Sequence, residues 1–480
     1  MTLMDSFKAI IKSGAERALS MEAFIAREVN DWLRSDARKW MQTGVRYYKN
    51  QNDILERKRY GIGMHGELVI DEKMANNRIA HAVARKLVDQ KAEYLLGREF
   101  SVTSENEAFQ KALGEVMDRG FRKMLKNGCV DAVNKGIAWV HVYYDDKGAF
   151  RMKLMPTEEM LPFWADTEHT RLDALARVYA MEAYDGPNKR LQQFIEYWDA
   201  TGVRRFLMMQ DGQLAPDIER GEHGSHITRG AGKEAQARNW ERLPFVAFKY
   251  NRYEQPLIQF IKALIDDYDR NKSDHSNELE DLLNYIFVLQ NYDGTDLAEF
   301  RRNLALYRAV KVSDDGGVDT LAASPATEAF VAHQAATRKD IFEFGRGVDN
   351  MDETVQSPSG VALRFLYADL DLDCAGIETE FQASLEQLLW FIKAHLKNSG
   401  AGDFINETVD IVFNKDIPVN ESDVIANARA SKGLISDETI IEQHPWVKDP
   451  EQELARVRVE QDAALEKFGE AMGDAHEPIR

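Results

Sequence analysis

Apolar residues follow two rhythms along this chain, and its parts meet where one rhythm gives way to the other. Between residues 20 and 60 apolar and aromatic positions (Phe24, Ile25, Trp32, Trp40, Val45, Tyr47, Tyr48) recur at helical spacing. A second helix is expected over 76–96 on Ile79, Val83, Leu87, Tyr94 and Leu95, with Gly97 as its stop. A third is expected over 107–134. The period then shortens: 138–144 and 150–155 flank Asp145, Asp146, Lys147 and Gly148 and read as a hairpin. Residues 175–184, 192–198 and 204–209 read as further strands. Residues 210–240 are polar and Gly-rich and read as a loop, after which 243–250 resumes as a strand.

After Pro256 the helical rhythm returns. Leu257, Phe260, Ile261, Leu264, Ile265 and Tyr268 form a stripe that Leu279, Leu282, Leu283 and Ile286 continue, across a very polar middle at 269–276. A small α/β insert is expected at 287–323, with strands at 307–312 and 318–321 around Ser313, Asp314, Asp315, Gly316 and Gly317. A helix over 325–346 runs back, and a Gly- and Asp-bearing break covers 347–360. The longest helix then spans 361–397 on Leu363, Leu366, Leu370, Cys374, Ile377, Phe381, Leu385, Leu388, Ile392 and Leu396. A lone strand is expected at 409–413, and a charged helical region with an acidic tail from 420. The fold class is α+β, predominantly helical.

Composition narrows the function classes. At 480 residues, 44% hydrophobic and 29% charged, the chain is an ordinary globular protein with room for two to four domains. Two cysteines, Cys129 and Cys374, fit a reducing compartment. No apolar run is long enough to cross a bilayer, and residues 1–12 lack the features of a signal peptide, so a soluble product of the cytoplasm is expected, with no membrane partner. The net charge of −19 argues against broad duplex binding, which needs Lys and Arg on phosphates. An acidic wall would instead let a polyanion slide past.

Motifs that carry chemistry fail on inspection. Gly61–Gly66 matches GxGxxG without the strand before it and helix after it that a dinucleotide site requires. Gly230, Ala231, Gly232 and Lys233 are followed by Glu234 where a phosphate loop needs Ser or Thr. Asp369, Asp371 and Asp373 resemble the start of a calcium loop but meet Cys374 where Gly belongs, and read as an acidic stripe and not a metal site. His65, His81, His141, His275 and His333 show no metal spacing and read as structural or surface residues. Glu158 and Glu159 lie between prolines and read as a turn. Trp32, Trp40, Tyr47 and Tyr48 sit on helical faces and read as core or subunit contacts before base-stacking residues. No catalytic residue, metal site or cofactor is expected.

Certain phrases recur in order along the chain. They are Asn76, Asn77, Arg78 and Ile79 with His81, then Leu87, Val88, Asp89, Gln90 and Lys91, and Tyr94, Leu95, Leu96 and Gly97. Residues 243–248 (LPFVAF), 264–269 (LIDDYD), Ser273, 278–281 (ELED), 289–294 (LQNYDG), 359–363 (SGVAL) and 435–439 (ISDET) follow. Each is weak alone, but their collinearity resembles the phage portal family typified by the portal of Bacillus phage SPP1. Residues 1–20, 210–240 and the C-terminal tail depart from it.

The resemblance implies a ring of twelve copies at the capsid vertex of a virion assembled in the host cytoplasm, with double-stranded DNA passing through it. A wing of helices and a small mixed sheet would cover 1–255, a stem helix 256–286, a clip 287–323 and a second stem helix 324–346. A tunnel loop would cover 347–360, the long wing helix and closing strand 361–419, and the crown and tail 420–480. The implied partners are the terminase large subunit, then a head-completion or adaptor protein, and the major capsid and scaffolding proteins. Candidate channel residues are Asp349, Asn350, Asp352, Glu353, Gln356, Ser357 and Arg364. Candidate docking residues in the clip are Arg301, Arg302, Arg308, Asp314 and Asp315. From Asp349 to Asp373 six acidic residues stand against one basic, Arg364, which would make a negative band near the channel. Two rivals remain at this point: a nuclease-type enzyme of DNA packaging, and another minor capsid protein.

Overall fold

The computed structural model describes residues 20–62, 67–70, 74–229, 236–281, 286–290, 317–321, 327–351, 360–414, 421–442, 444, 446–447, 450, 452–460 and 463. They form two compact units, one within 1–348 and 370–415, the other within 349–369 and 416–480.

In the first unit the described residues begin with two helices, α1 (Met21–Arg34) and α2 (Asp36–Tyr48). Ser35 separates them: its hydroxyl donates to the Trp32 carbonyl (2.8 Å) and accepts from the Arg38 amide (3.2 Å), ending one helix and capping the next. A 3₁₀ turn (Asp53–Glu56) leads to a hairpin of β1 (Tyr60–Ile62) and β2 (Leu68–Ile70). Then come α3 (Val83–Leu96), β3 (Ser101–Thr103), α4 (Glu107–Val116) and α5 (Arg119–Lys135). The Asp118 carboxylate accepts from the Phe121 amide (2.9 Å) and starts α5. Gly136 ends it with φ +84°, and a Cβ there would sit 1.9 Å from the Glu254 carbonyl oxygen.

Strands supply almost every element from 137 to 249: β4 (Ile137–Tyr144), β5 (Phe150–Met155), β6 (Met160–Trp164), β7 (Leu172–Asp185), β8 (Asn188–Asp199), β9 (Gly202–Met208), β10 (Leu214–Pro216), β11 (His223–Gly224), β12 (Ile227–Arg229), β13 (Gln236–Arg238) and β14 (Phe245–Lys249). They build a six-stranded antiparallel sheet, ordered β10-β9-β8-β7-β6 with β11 also on β9, and a three-stranded one, β14-β4-β5. Alternation along β7 divides the core. Ala174, Ala176 and Val178 face Ile25 and Val29 of α1, while Leu175 faces Trp139, Met155 and Phe245 of the small sheet.

Two helices follow, α6 (Ile258–Asp281) and α7 (Thr327–Phe344), with β15 (Ile286–Gln290) and β16 (Gly317–Leu321) pairing antiparallel between them in sequence. Helix α8 (Gly360–Ser399) is 40 residues long, about 60 Å at 1.5 Å per residue. Leu370, Cys374, Ile377, Phe381, Leu385, Leu388, Ile392 and Leu396 are all buried, at steps of three or four. Phe381 packs edge-on to Phe248 of the small sheet, and the Ser384 hydroxyl donates to the Ala247 carbonyl (2.6 Å). Strand β17 (Asp410–Val412) pairs with β3. In the second unit α9 (Glu421–Ser431) and α10 (Asp437–Glu442) are joined by a short Lys432–Ile435 bridge.

Several expectations are corrected. The fold is a mixed α+β one, about half helical among the described residues, and its sheets are small and antiparallel where a mixed sheet was expected. The helical stretches at 20–60 and 107–134 are each broken by a polar cap, Ser35 and Asp118. The strand expected to stand alone at 409–413 pairs with β3, and the loop at 210–240 holds β10 to β13 in part. Strand 317–321 pairs with 286–290; its expected partner at 307–312 lies outside the described residues. Residues 76–82, expected as the start of a helix, are not helical.

Candidate functional site

Helix α6 carries one buried row at four-residue spacing: Ile261, Ile265, Asp269, Ser273 and Asn277. Its first half is apolar and its second polar, and the polar half captures a strap. The Asp269 carboxylate, fully buried, accepts from the His81 amide (3.0 Å) and the Asn52 side chain (2.6 Å) and meets His81 Nδ1 (2.7 Å). Ser273 Oγ accepts from the Ile79 amide (3.0 Å), and Asn277 Oδ1 from the Asn77 amide (2.6 Å). Every fourth residue of the helix meets every second residue of the strap. The two spacings agree, at about 6.0 Å for four helical residues and about 6.6 Å for two extended ones. Residues 76–82 therefore hydrogen-bond to side chains of α6 where a helix would have used its own carbonyls.

Helix α3 makes a second clamp. Lys91 lies on its buried row with Leu87 and Leu95 and is itself fully buried. Its ammonium donates to the Arg346 carbonyl (2.9 Å) and pairs with Asp373 (2.7 Å). Asp373 also accepts from the Tyr250 hydroxyl (2.8 Å), and Arg346 stands 3.4 Å away. Burial, then the Asp373 charge, push the Tyr250 hydroxyl well above its usual range, so it remains a donor at neutral pH. The Gln90 amide donates to the Val348 carbonyl (2.7 Å) and accepts from the Val348 amide (3.1 Å), as a strand neighbour would. Tyr94 donates to Asp371 (3.0 Å). Between Gly345 and Gly347, Arg346 adopts φ +48° as the chain turns out of α7. A Cβ at Gly345 would meet the Ile341 carbonyl at 2.6 Å and Leu87 at 2.7 Å.

One ammonium thus holds both ends of the segment between Arg346 and Asp373. That segment contains the expected channel residues. Asp349 and Asn350 lie just beyond the clamp, where the Asp349 carboxylate accepts from the Met351 amide (3.1 Å). Asp352, Glu353, Gln356 and Ser357 lie outside the described residues, as do Arg301, Arg302, Arg308, Asp314 and Asp315. Arg364 falls within α8. The expected acidic stripe is revised: Asp369 is exposed, but Asp371 and Asp373 turn toward α3 and are half-buried there. Asp373 has its charge compensated by Lys91 and Arg346.

The phrases read from the sequence meet in these two clamps: the strap with LIDDYD and Ser273, and LVDQK with the root of the Gly345–Val348 turn. A family model described as phage portal protein, SPP1 Gp6-like, matches residues 34–467. The chain belongs to the SPP1 Gp6-like family of phage portal proteins. It is 33% identical over 439 residues to the portal protein of Bacillus phage SPP1, covering 90% of this chain and 85% of that one. It is 30% identical over 423 residues to the portal protein of Clostridium phage phiCD119, covering 85% and 89%. Among solved structures, a chain from the neck of a native GTA particle computed with C12 symmetry aligns at a TM-score of 0.42 and 11% identity, over 76% of this chain and 89% of that chain.

As a portal family member the chain is a structural component of a phage virion at its portal vertex, and the rival reading of a packaging nuclease is set aside. Among the described residues no helix is long and apolar enough to cross a membrane. What the sequence reading missed is that charged and polar side chains hold the frame together from inside. The signal was present: Lys91 interrupts an apolar row at four-residue spacing, and Asp269, Ser273 and Asn277 extend one.

Proposed function

We propose that twelve copies close into a ring in the host cytoplasm, and that double-stranded DNA is packaged and later ejected through its channel. Helices α6 and α7 are the stem, 287–323 the clip, and 347–360 the tunnel loop that meets DNA. The observation that carries this reading is the pinning of both ends of the Arg346–Asp373 segment by Lys91. A loop that guides a moving polyanion needs a fixed root and a tip free of strong phosphate ligands. Asp349, Asp352 and Glu353 give that tip a negative charge, so its contact with DNA is repulsive guidance, with Asn350, Gln356 and Ser357 as neutral neighbours and Arg364 at the start of the following helix. The clip docks the terminase large subunit and then the head-completion protein, with Arg301, Arg302, Arg308, Asp314 and Asp315 at the contact, and the ring's outer parts meet capsid and scaffolding proteins.

Deleting residues 350–358 tests the loop. Negative-stain images should still show rings with a central hole, while packaging of DNA into heads, or its retention there, falls sharply. Unchanged packaging in intact rings would sink the loop's assignment, and persistent monomers of the unaltered chain would sink the ring.

A further inference from the structure

Helix α6 has two polar rows set back to back. Asp269, Ser273 and Asn277 hold the strap, while Asp267, Asn271 and His275 hold α7. His333 lies 2.9 Å from Asp267 and 3.2 Å from Asn271, and His275 stacks on Phe330 at 3.9 Å. The rows are offset by two residues, about 200° of helical rotation, so the strap and α7 lie on opposite flanks of α6.

The chain reaches the strap through an excursion along α6. Asn52 binds Asp269 and Arg57 pairs with Asp274 (2.6 Å) on the way out; Asn77 binds Asn277 and Glu280 at the far end. The β1–β2 hairpin lies between these outgoing and returning arms. Tyr60, Leu68, Val69, Ile70 and Met74 are exposed there, Leu68 to 75%. Two strands alone cannot shelter such residues, and an isolated hairpin is marginal in water. On the opposite flank, at the level set by the His275–Phe330 stack, α7 exposes Val331 to 57%, with Ala332 and Ala335 beside it and Glu328 one turn before. The hairpin's root exposes Lys58 and Arg78.

We infer that the β1–β2 hairpin of one copy docks on the outer face of α7 of the next. A closed ring is built from heterologous contacts, in which one flank of each copy meets the other flank of its neighbour. The hairpin and α7 are two such flanks at one height along a stem that runs with the channel. Leu68 and Ile70 cover Val331 and the alanines, and Lys58 and Arg78 face Glu328. This contact rests on the ring reading above and adds a specific pair of surfaces to it.

Cross-linking tests it. The native cysteines are buried and do not interfere. In the full chain carrying Leu68→Cys and Val331→Cys, an oxidant or a short bis-maleimide should give a ladder of covalent multimers on denaturing gels. Each single variant should give none. Rings in negative stain without a ladder would overturn the contact and leave the ring reading standing. Monomers of the unaltered chain at high concentration would overturn both. As an independent arm, Glu328→Lys should lower ring yield several-fold, and Arg78→Glu in the same chain should restore it. A Glu328→Lys chain that assembles like the parent would also count against the contact.

Discussion

Lys91 shares a buried row with Leu87 and Leu95, so packing that row takes an ammonium out of water. It is tolerated because a carboxylate and a carbonyl meet it within 2.9 Å. Lys91→Met should leave Asp373 short of its closest cation and destabilise the first unit by about 3 kcal/mol, read as a lower urea midpoint with an unchanged slope. His141 is the opposite case. It stacks on Phe245 at 4.5 Å inside the small sheet, neither ring nitrogen has a partner, and burial, then Lys153 and Arg177, hold its pKa down from 6.5 to about 3. Because the folded value lies below the unfolded one, the unfolded chain takes up the proton first. Stability is whole above pH 6.5 and falls by about 1.4 kcal/mol per unit below it, toward pH 3. His141→Phe keeps the stack and removes the titration. Melting curves between pH 7 and 4.5 should therefore fall less steeply for the variant than for the parent; parallel curves would show that His141 does not set the acid limit.

Among elements, the strap and the helix crossings carry the frame. Three side chains of α6 take the amides of 77, 79 and 81, so those amides should resist hydrogen exchange although they belong to no helix or sheet. Ser273→Ala leaves the Ile79 amide without its acceptor, a loss of about 1–3 kcal/mol. Its exchange should quicken, with that of its neighbours, before the sheets are affected. At the crossing of α2 and α5, Gly44 sits against the backbone, and a Cβ there would fall 1.9 Å from the Asn134 carbonyl oxygen. Backbone cannot yield as a side chain would, so Gly44→Ala should cost about 2–3 kcal/mol by forcing the helices apart, visible as a lower melting temperature.

For the whole molecule, a net charge of −19 makes Arg301, Arg302 and Arg308 of the proposed clip a short run of basic residues in an acidic chain. Reversing those arginines should weaken binding of the terminase large subunit or the head-completion protein while the melting temperature stays within a degree or two. Equal binding by the reversed chain would remove the clip's arginines from the docking surface. A ring also multiplies whatever each copy presents. The inward turn of Asp371 and Asp373 therefore moves the negative band of the proposed channel toward Asp349, Asp352, Glu353 and Asp369.

The sequence by itself determined the helices with long apolar rows, most of the strands from 137 to 209, and the portal family. Burial of a repeating row is a local property, and ordered phrases need no coordinates. Eight buried positions of α8 follow from their spacing alone. Where polar groups find their partners was decided only by tertiary structure. Asn77 and Asn277 lie 200 residues apart, and a polar residue on a buried row looks like an error until its donor or acceptor arrives from elsewhere. For the same reason residues 76–82 read as helix and fold as a strap. Asp373, read as a channel charge, folds as the counter-ion of Lys91.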